Sequence, residues 1–162
     1  MRNSIFNGIL IVMMSIFFVS CTNEKEKIDL QPFKEKGIIT NQKIVFFTHL
    51  ITKKNDLGVL HFTKQFYENG LKKYNNITEI AIVFLVDCDE ADNTSVKDFF
   101  LDWGYADKLV IQNVENSSLF KDSHREQITA ISYILKSNGE IVSCTNPSLG
   151  NAFHSKIQEL IK

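Results

Sequence analysis

Ile80 to Val86 reads Ile-Ala-Ile-Val-Phe-Leu-Val, seven consecutive apolar residues rich in β-formers. With no polar residue alternating through it, such a run suits a strand covered on both faces. A strand of that kind needs other elements packed above and below it, which excludes a bare sheet or a simple helical bundle. Ile44-Val45-Phe46-Phe47 is a shorter run of the same type. Between the two, Leu57 to about Tyr74 has helical spacing. Leu60, Tyr67, Leu71 and Tyr74 share one face, which Val59, Phe62 and Phe66 are expected to widen. Gly70 is expected to weaken the last turn. Thr48 to Asp56 is read as a loop ending in the helix caps Asn55-Asp56.

After Val86, the segment Asp87-Cys88-Asp89-Glu90-Ala91-Asp92-Asn93 reads as an acidic loop. Ser95-x-x-Asp98 resembles a capping box opening a second helix, with Val96, Phe99, Phe100 and Trp103 as its apolar side and Gly104 as its stop. Lys108 to Gln112 is a short strand. Asn113 to Gln127 is polar and loop-like, with one helical turn at Leu119-Phe120. Ala130 to Leu135 and Glu140 to Cys144 form a hairpin around Lys136-Ser137-Asn138-Gly139, since Asn-Gly is a strong hairpin signal. A final amphipathic helix carries Phe153, Ile157, Leu160 and Ile161.

With 162 residues, 44% hydrophobic and 23% charged, the composition is that of one globular domain. The net charge of −1 gives no basic excess, so no nucleic-acid partner is expected. His49, His61, His124 and His154 are scattered without metal-ligand spacing, and neither a metal nor another cofactor is expected. At the start, Arg2 precedes an apolar run from Ile5 to Val19 broken only by Asn7, Gly8 and Ser15. That run falls short of the about 20 residues of a transmembrane helix and matches the apolar region of a secretory signal. It ends in Phe18-Val19-Ser20-Cys21, which resembles a bacterial lipobox, with Phe18 where Leu is usual. The plainer alternative is a secretory signal with a chance cysteine. The lipobox is preferred because polar sequence starts directly after Cys21. The expected organisation is a lipoprotein signal peptide over 1–21, a polar tether over 22–42 and a domain over 43–162. Lipidation of Cys21 would make the membrane a partner and hold the domain at the bacterial cell envelope, facing the periplasm or the cell exterior.

The element order, strand-helix-strand-helix followed by a hairpin and a helix, is that of the thioredoxin fold. The stretch Leu109 to Val142, LVIQNVENSSLFKDSHREQITAISYILKSNGEIV, resembles the second half of thioredoxin-like proteins related to thiol–disulfide oxidoreductases and peroxiredoxins. The resemblance covers roughly Lys43 to Lys162. It implies an α/β domain with a mixed central sheet, a βαβ unit then a β-hairpin and C-terminal helix, flanked by helices. It also implies a Cys-x-x-Cys pair near Thr52-Lys53-Lys54-Asn55, yet no cysteine occurs between Thr22 and Asp87. The family's cis-proline would fall near Ile131, and no proline occurs between Pro32 and Pro147. A cis bond without proline costs ~3 kcal/mol, so a trans bond is expected there. In the family's strand order Cys88 would follow one edge strand and Cys144 would end the opposite one. Three spacings of ~4.8 Å put them ~14 Å apart, beyond the roughly 7 Å Cα separation a disulfide allows. Two free thiols are expected, with Asp87, Asp89 and Glu90 suppressing the Cys88 thiolate.

Asp87, Asp89 and Asp98 fall at positions 1, 3 and 12 of an EF-hand count, but position 6 is Asp92 where Gly is required. Asp87-x-Asp89 after a strand also resembles aspartyl-nucleophile phosphatases, without their usual residue at Ala91. A solvated, helix-capping loop is the preferred reading of these acids. His49, Lys53 and Lys54 near the helix start could attract an anion, although a surface loop with solvated lysines is the preferred reading. The resemblance brings the His124 loop beside them, so His49, Thr52, Lys53, Lys54, Asn55 and His124 form the candidate binding surface. The sequence thus favours a non-catalytic, lipid-anchored thioredoxin-like module that binds an unidentified protein or small molecule. The alternative is a divergent thiol oxidoreductase or peroxidase using Cys88 or Cys144 alone.

Overall fold

A computed structural model describes residues 27–52, 56–113, 130–145 and 147–162. Its centre is a sheet of five strands. β1 (Ile44–Ile51) runs parallel to β2 (Ile80–Cys88), and β2 runs parallel to β3 (Leu109–Asn113). On its other side β1 pairs antiparallel with β4 (Ala130–Lys136), which pairs antiparallel with β5 (Ile141–Cys144). The spatial order is β3-β2-β1-β4-β5. The sheet is flanked by α1 (Gln31–Glu35), α2 (Gly58–Leu71), α3 (Asn93–Trp103) and α4 (Asn151–Ile161).

Both faces of the sheet are covered, as the apolar run at Ile80 requires. On one face Ile44, Phe46 and Leu50 of β1 and Ile82, Phe84 and Val86 of β2 pack with Leu60 and Leu71 of α2, Phe100 of α3, and Phe153 and Ile157 of α4. Phe84 meets the rings of Phe100 and Trp103 at 5.1 Å each, and Phe46 meets Phe153 edge-on at 5.2 Å. On the other face Val45, Phe47, Val83, Leu85 and Leu135 pack with Ile28, Leu30, Phe33 and Ile39. Phe33 of α1 sets its ring edge-on to Phe47 at 5.9 Å. The expectation of a polar tether over 22–42 is therefore corrected for its described part. From Ile28 onward this segment is a packed layer, because the odd-numbered side chains of β1 and β2 need an apolar cover. Residues 1–26, which include the expected signal peptide and Cys21, lie outside the described residues.

Four further expectations change. β1 continues through Thr48 to Ile51 where a loop was expected, because its backbone is paired on both sides, with β2 and β4. β2 continues to Cys88, so Asp87 is a buried strand residue and not part of a solvated loop. The Ser95–Asp98 capping box does not form, since α3 already starts at Asn93 and its N-cap is Asp92, without a side-chain cap. Phe62 and Phe66 do not widen the buried face of α2. They stack on each other at 4.4 Å on its outer side, 58% and 45% exposed.

The expected β4–β5 hairpin is present, with Gly139 at φ +85 in its turn. Gly70 is not a weakness in α2 but a point of contact. A Cβ built there would run into the Pro147 side chain and come within 2.9 Å of the Pro147 carbonyl oxygen. Helix propensity alone would make Gly70→Ala stabilising by about 1 kcal/mol. The Pro147 contact is backbone and cannot step aside cheaply, so a net loss of about 1–3 kcal/mol is expected in denaturant unfolding. A stabilised Gly70→Ala variant would show that the Pro147 turn does not dock there.

Candidate functional site

The C-terminal ends of β1, β2 and β3 carry the chain's deepest polar cluster among the described residues. Strand alternation sends His49, Asp87 and Gln112 to one face of the sheet. The ladder sets His49 beside Leu85, Ile51 beside Asp87, and Asp87 beside Gln112, so His49 lies diagonal to Asp87. A diagonal pair is within reach of long side chains. His49 Nε2 lies 2.9 Å from Asp87 Oδ2, and Gln112 Nε2 donates to Asp87 Oδ1 at 2.7 Å. His49 is 1% and Asp87 0% exposed. The Thr52 N–H donates to the Asp87 carbonyl at 2.9 Å, which ties the start of the loop after β1 to the end of β2. A buried carboxylate is tolerated only when paired and hydrogen-bonded, and both Asp87 oxygens meet that condition.

The opposite face at this end holds a chain of hydroxyls. Thr48 Oγ1 and Ser132 Oγ lie 3.0 Å apart, and the Tyr67 hydroxyl lies 2.9 Å from the same Ser132 Oγ. This joins β1, β4 and α2 through one buried serine. Burial pushes the Tyr67 phenol above its ordinary range.

The expected binding surface is only partly visible. Lys53, Lys54, Asn55 and His124 lie outside the described residues. His49 and Thr52 are buried, at 1% and 5% exposure, so neither presents an exposed side chain to the expected binding surface. The His49 imidazole nitrogen is turned inward to Asp87, not outward to solvent. The described residues hold no cis peptide bond, that at Ile131 included. They also hold no group of three or more His, Cys, Asp or Glu side chains able to take a metal ion. Of the EF-hand acids, Asp87 faces His49, and Asp89 stands at the N-cap position of the short helical turn Glu90–Asp92 without a side-chain cap.

Cys88 and Cys144 are both free. Cys88 ends an interior strand and not an edge strand, because β3 pairs outside β2. β2 and β5 remain three strand spacings apart. Cys88 is buried, and its thiol lies 3.2 Å from Asn93 Oδ1. Burial first, and then Asp92, Asp87 and Asp89, push its pKa up to about 11. Cys144 is exposed, and its pKa is also raised, by partial desolvation. Outside β3, a groove of about 620 Å³ is lined by Lys36, Lys97, Glu90, Asp98, Gln112 and Asn113. Its side chains carry both signs of charge and select no ligand class.

The sequence reading missed the His49–Asp87–Gln112 cluster. No spacing could reveal it, since its members lie 38 and 25 residues apart. The only available signal was the strand period, which places them together once the register is known.

Removing Asp87 takes a carboxylate partner from a buried imidazole and a half-buried amide. Asp87→Ala is therefore expected to lose ~3 kcal/mol in chemical denaturation, well above a surface substitution. A loss under about 0.5 kcal/mol would mean that the pair is open to water. Cys88 also makes a pH prediction. Its folded pKa is above its ordinary value, so its contribution is intact below pH 9.0 and is lost as pH rises toward about 11. Tyr67, Tyr74 and Tyr105 are shifted in the same direction. Cys88→Ala should thus flatten, without abolishing, the fall in melting temperature between those values. An unchanged slope would rule out a desolvated thiol.

No protein-family model matches the chain, and no curated protein matches it. Solved structures do. The thioredoxin domain of a thiol-disulfide oxidoreductase from Bacteroides vulgatus superposes with TM-score 0.54 at 10% identity, covering 84% of this chain and 91% of that one. A candidate thiol-disulfide oxidoreductase from the same organism gives TM-score 0.54 at 18% identity over 75% of each chain. The C-terminal domain of another, from Bacteroides thetaiotaomicron, gives 0.52 at 19% identity over 74% and 80%. At these identities the similarity speaks for architecture alone. It agrees with the element order and sheet described above: the chain has a thioredoxin-like α/β fold.

Proposed function

We propose that this thioredoxin-like domain acts without a redox-active cysteine pair, as a binding or assembly module at the bacterial cell envelope, held there by a lipid on Cys21. The observation that carries this reading is the state of sulfur at the C-terminal end of the sheet. The sequence that follows β1, Thr52-Lys53-Lys54-Asn55, contains no cysteine. The thiol closing the neighbouring strand, Cys88, is buried beside three carboxylates and pushed to about 11. Thiol exchange needs the thiolate, and a group with that pKa supplies very little of it at neutral pH. In place of a sulfur pair, this end of the domain holds the His49–Asp87–Gln112 cluster. It fixes the ends of β1, β2 and β3 and so makes a rigid base for the loop after β1.

The alternative is a thiol enzyme working through one cysteine. Cys144 favours it more than Cys88 does, because it is exposed. Thiol titration before and after brief hydrogen peroxide treatment separates the two. Under the proposal, Cys144 reacts no faster than an ordinary thiol, Cys88 reacts only on unfolding, and peroxide consumes neither rapidly. A fast peroxide-dependent loss of one thiol equivalent from the folded chain would establish the enzyme instead. The address has its own test, the intact mass of the N-terminal peptide from membranes of expressing cells. An acylated Cys21 is expected, and an unmodified Cys21 rules out the anchor.

A further inference from the structure

The first described residues, Lys27 and Ile28, sit at the end opposite to the His49–Asp87 cluster. Lys27 bridges to Glu140, and the Ile28 N–H donates to the Gly139 carbonyl at 3.0 Å. Ile28 is buried there, and a Cβ on Gly139 would run into the Ile28 carbonyl oxygen. The contact is thus close enough to require glycine. The same turn sits at the start of β1, where Ile44 pairs with Lys136 and the Ser137 N–H donates to the Lys43 carbonyl at 3.2 Å. Thr52, Asp87 and Gln112 lie at the other end of the strands. The eight residues of β1 separate the two ends by seven steps of ~3.3 Å, or ~23 Å. Cys21 precedes Ile28 by seven residues, which span at most about 25 Å at about 3.6 Å each.

We propose that the domain stands on its membrane with the β4–β5 turn toward the lipid and the Thr52–Asp87 end pointing into the aqueous space. This rests on the lipid anchor at Cys21 argued above. Inverting the domain would bring Thr52 to the lipid only with the connection stretched to its full length along the sheet. A chain held at its contour length gives up nearly all its conformations, whereas the upright arrangement leaves slack. A lipid headgroup is therefore out of reach of the Thr52–Asp87 end. The exposed Phe62–Phe66 pair offers the competing geometry. Aromatic rings settle at lipid–water interfaces, and a domain resting on this pair would lie on its side.

The test uses the full-length lipidated chain with Cys144→Ser, in vesicles containing a headgroup-labelled quencher lipid. Buried Cys88 is left unlabelled, and a fluorophore is placed on one introduced cysteine at a time. Ser137 reports the turn, Ala91 the opposite end and Gln65 the aromatic side, all three positions being exposed. The expected result is the largest loss of fluorescence at Ser137→Cys and the smallest at Ala91→Cys. Quenching at Ala91→Cys equal to or above that at Ser137→Cys overturns the orientation, as does the strongest quenching at Gln65→Cys. A chain that fails to associate with vesicles overturns the anchor and the orientation with it. Association with the wrong ranking overturns the orientation alone.

Discussion

β1 and β2 are apolar on both sides and need a layer on each. Ile82, Phe84 and Val86 point to one face, Ala81, Val83 and Leu85 to the other, and all six are buried. At roughly 1.5–3 kcal/mol for each fully buried large apolar side chain, leaving either face open would cost more than a domain's whole net stability. α2, α3 and α4 supply one cover. The other is made by the segment from Ile28 to Ile39, with Phe33 wedged on Phe47. That demand is what draws α1 into the domain.

The same two-sided packing explains the polar end. Once β1 and β2 are covered to their C-terminal tips, Thr48, His49 and Asp87 are buried along with their apolar neighbours. Each must then find a partner inside the protein. Thr48 meets Ser132 on the helical face, and His49 and Gln112 meet Asp87 on the other. The two clusters hold α2, β1, β2, β3 and β4 together directly beneath Thr52. In a thioredoxin-like fold this is the end from which the loop after the first core strand emerges. Here the strand ends beneath Thr52 are held by buried polar pairs, and the sequence after β1 has no cysteine.

Much of the fold could be read from the chain. The apolar runs at Ile44 and Ile80, the helical spacing of Leu60, Tyr67 and Leu71, and the Asn138-Gly139 turn each report a local preference, and each element is present. The misreadings share one cause. Thr48, His49 and Asp87 are polar, which suggests loops, whereas the structure buries and pairs them. Phe62 and Phe66 are apolar, which suggests the core, whereas the buried face of α2 is already filled. Helix propensity makes Gly70 a weak point, whereas Pro147 packs on it. In each case a neighbour distant in sequence outweighs the residue's own preference.

The sequence by itself determined the α/β class, the element order and the missing cysteine pair. These follow from periodicity and residue type, which are properties of the chain alone. Only the tertiary structure decided that Asp87 belongs to a buried cluster with His49 and Gln112, that Cys88 closes an interior strand, and that Ile28 is held beside Gly139. Those outcomes depend on strand register and on which layer covers which face. Register is set by the simultaneous burial of both faces, a condition that no single segment can satisfy or reveal.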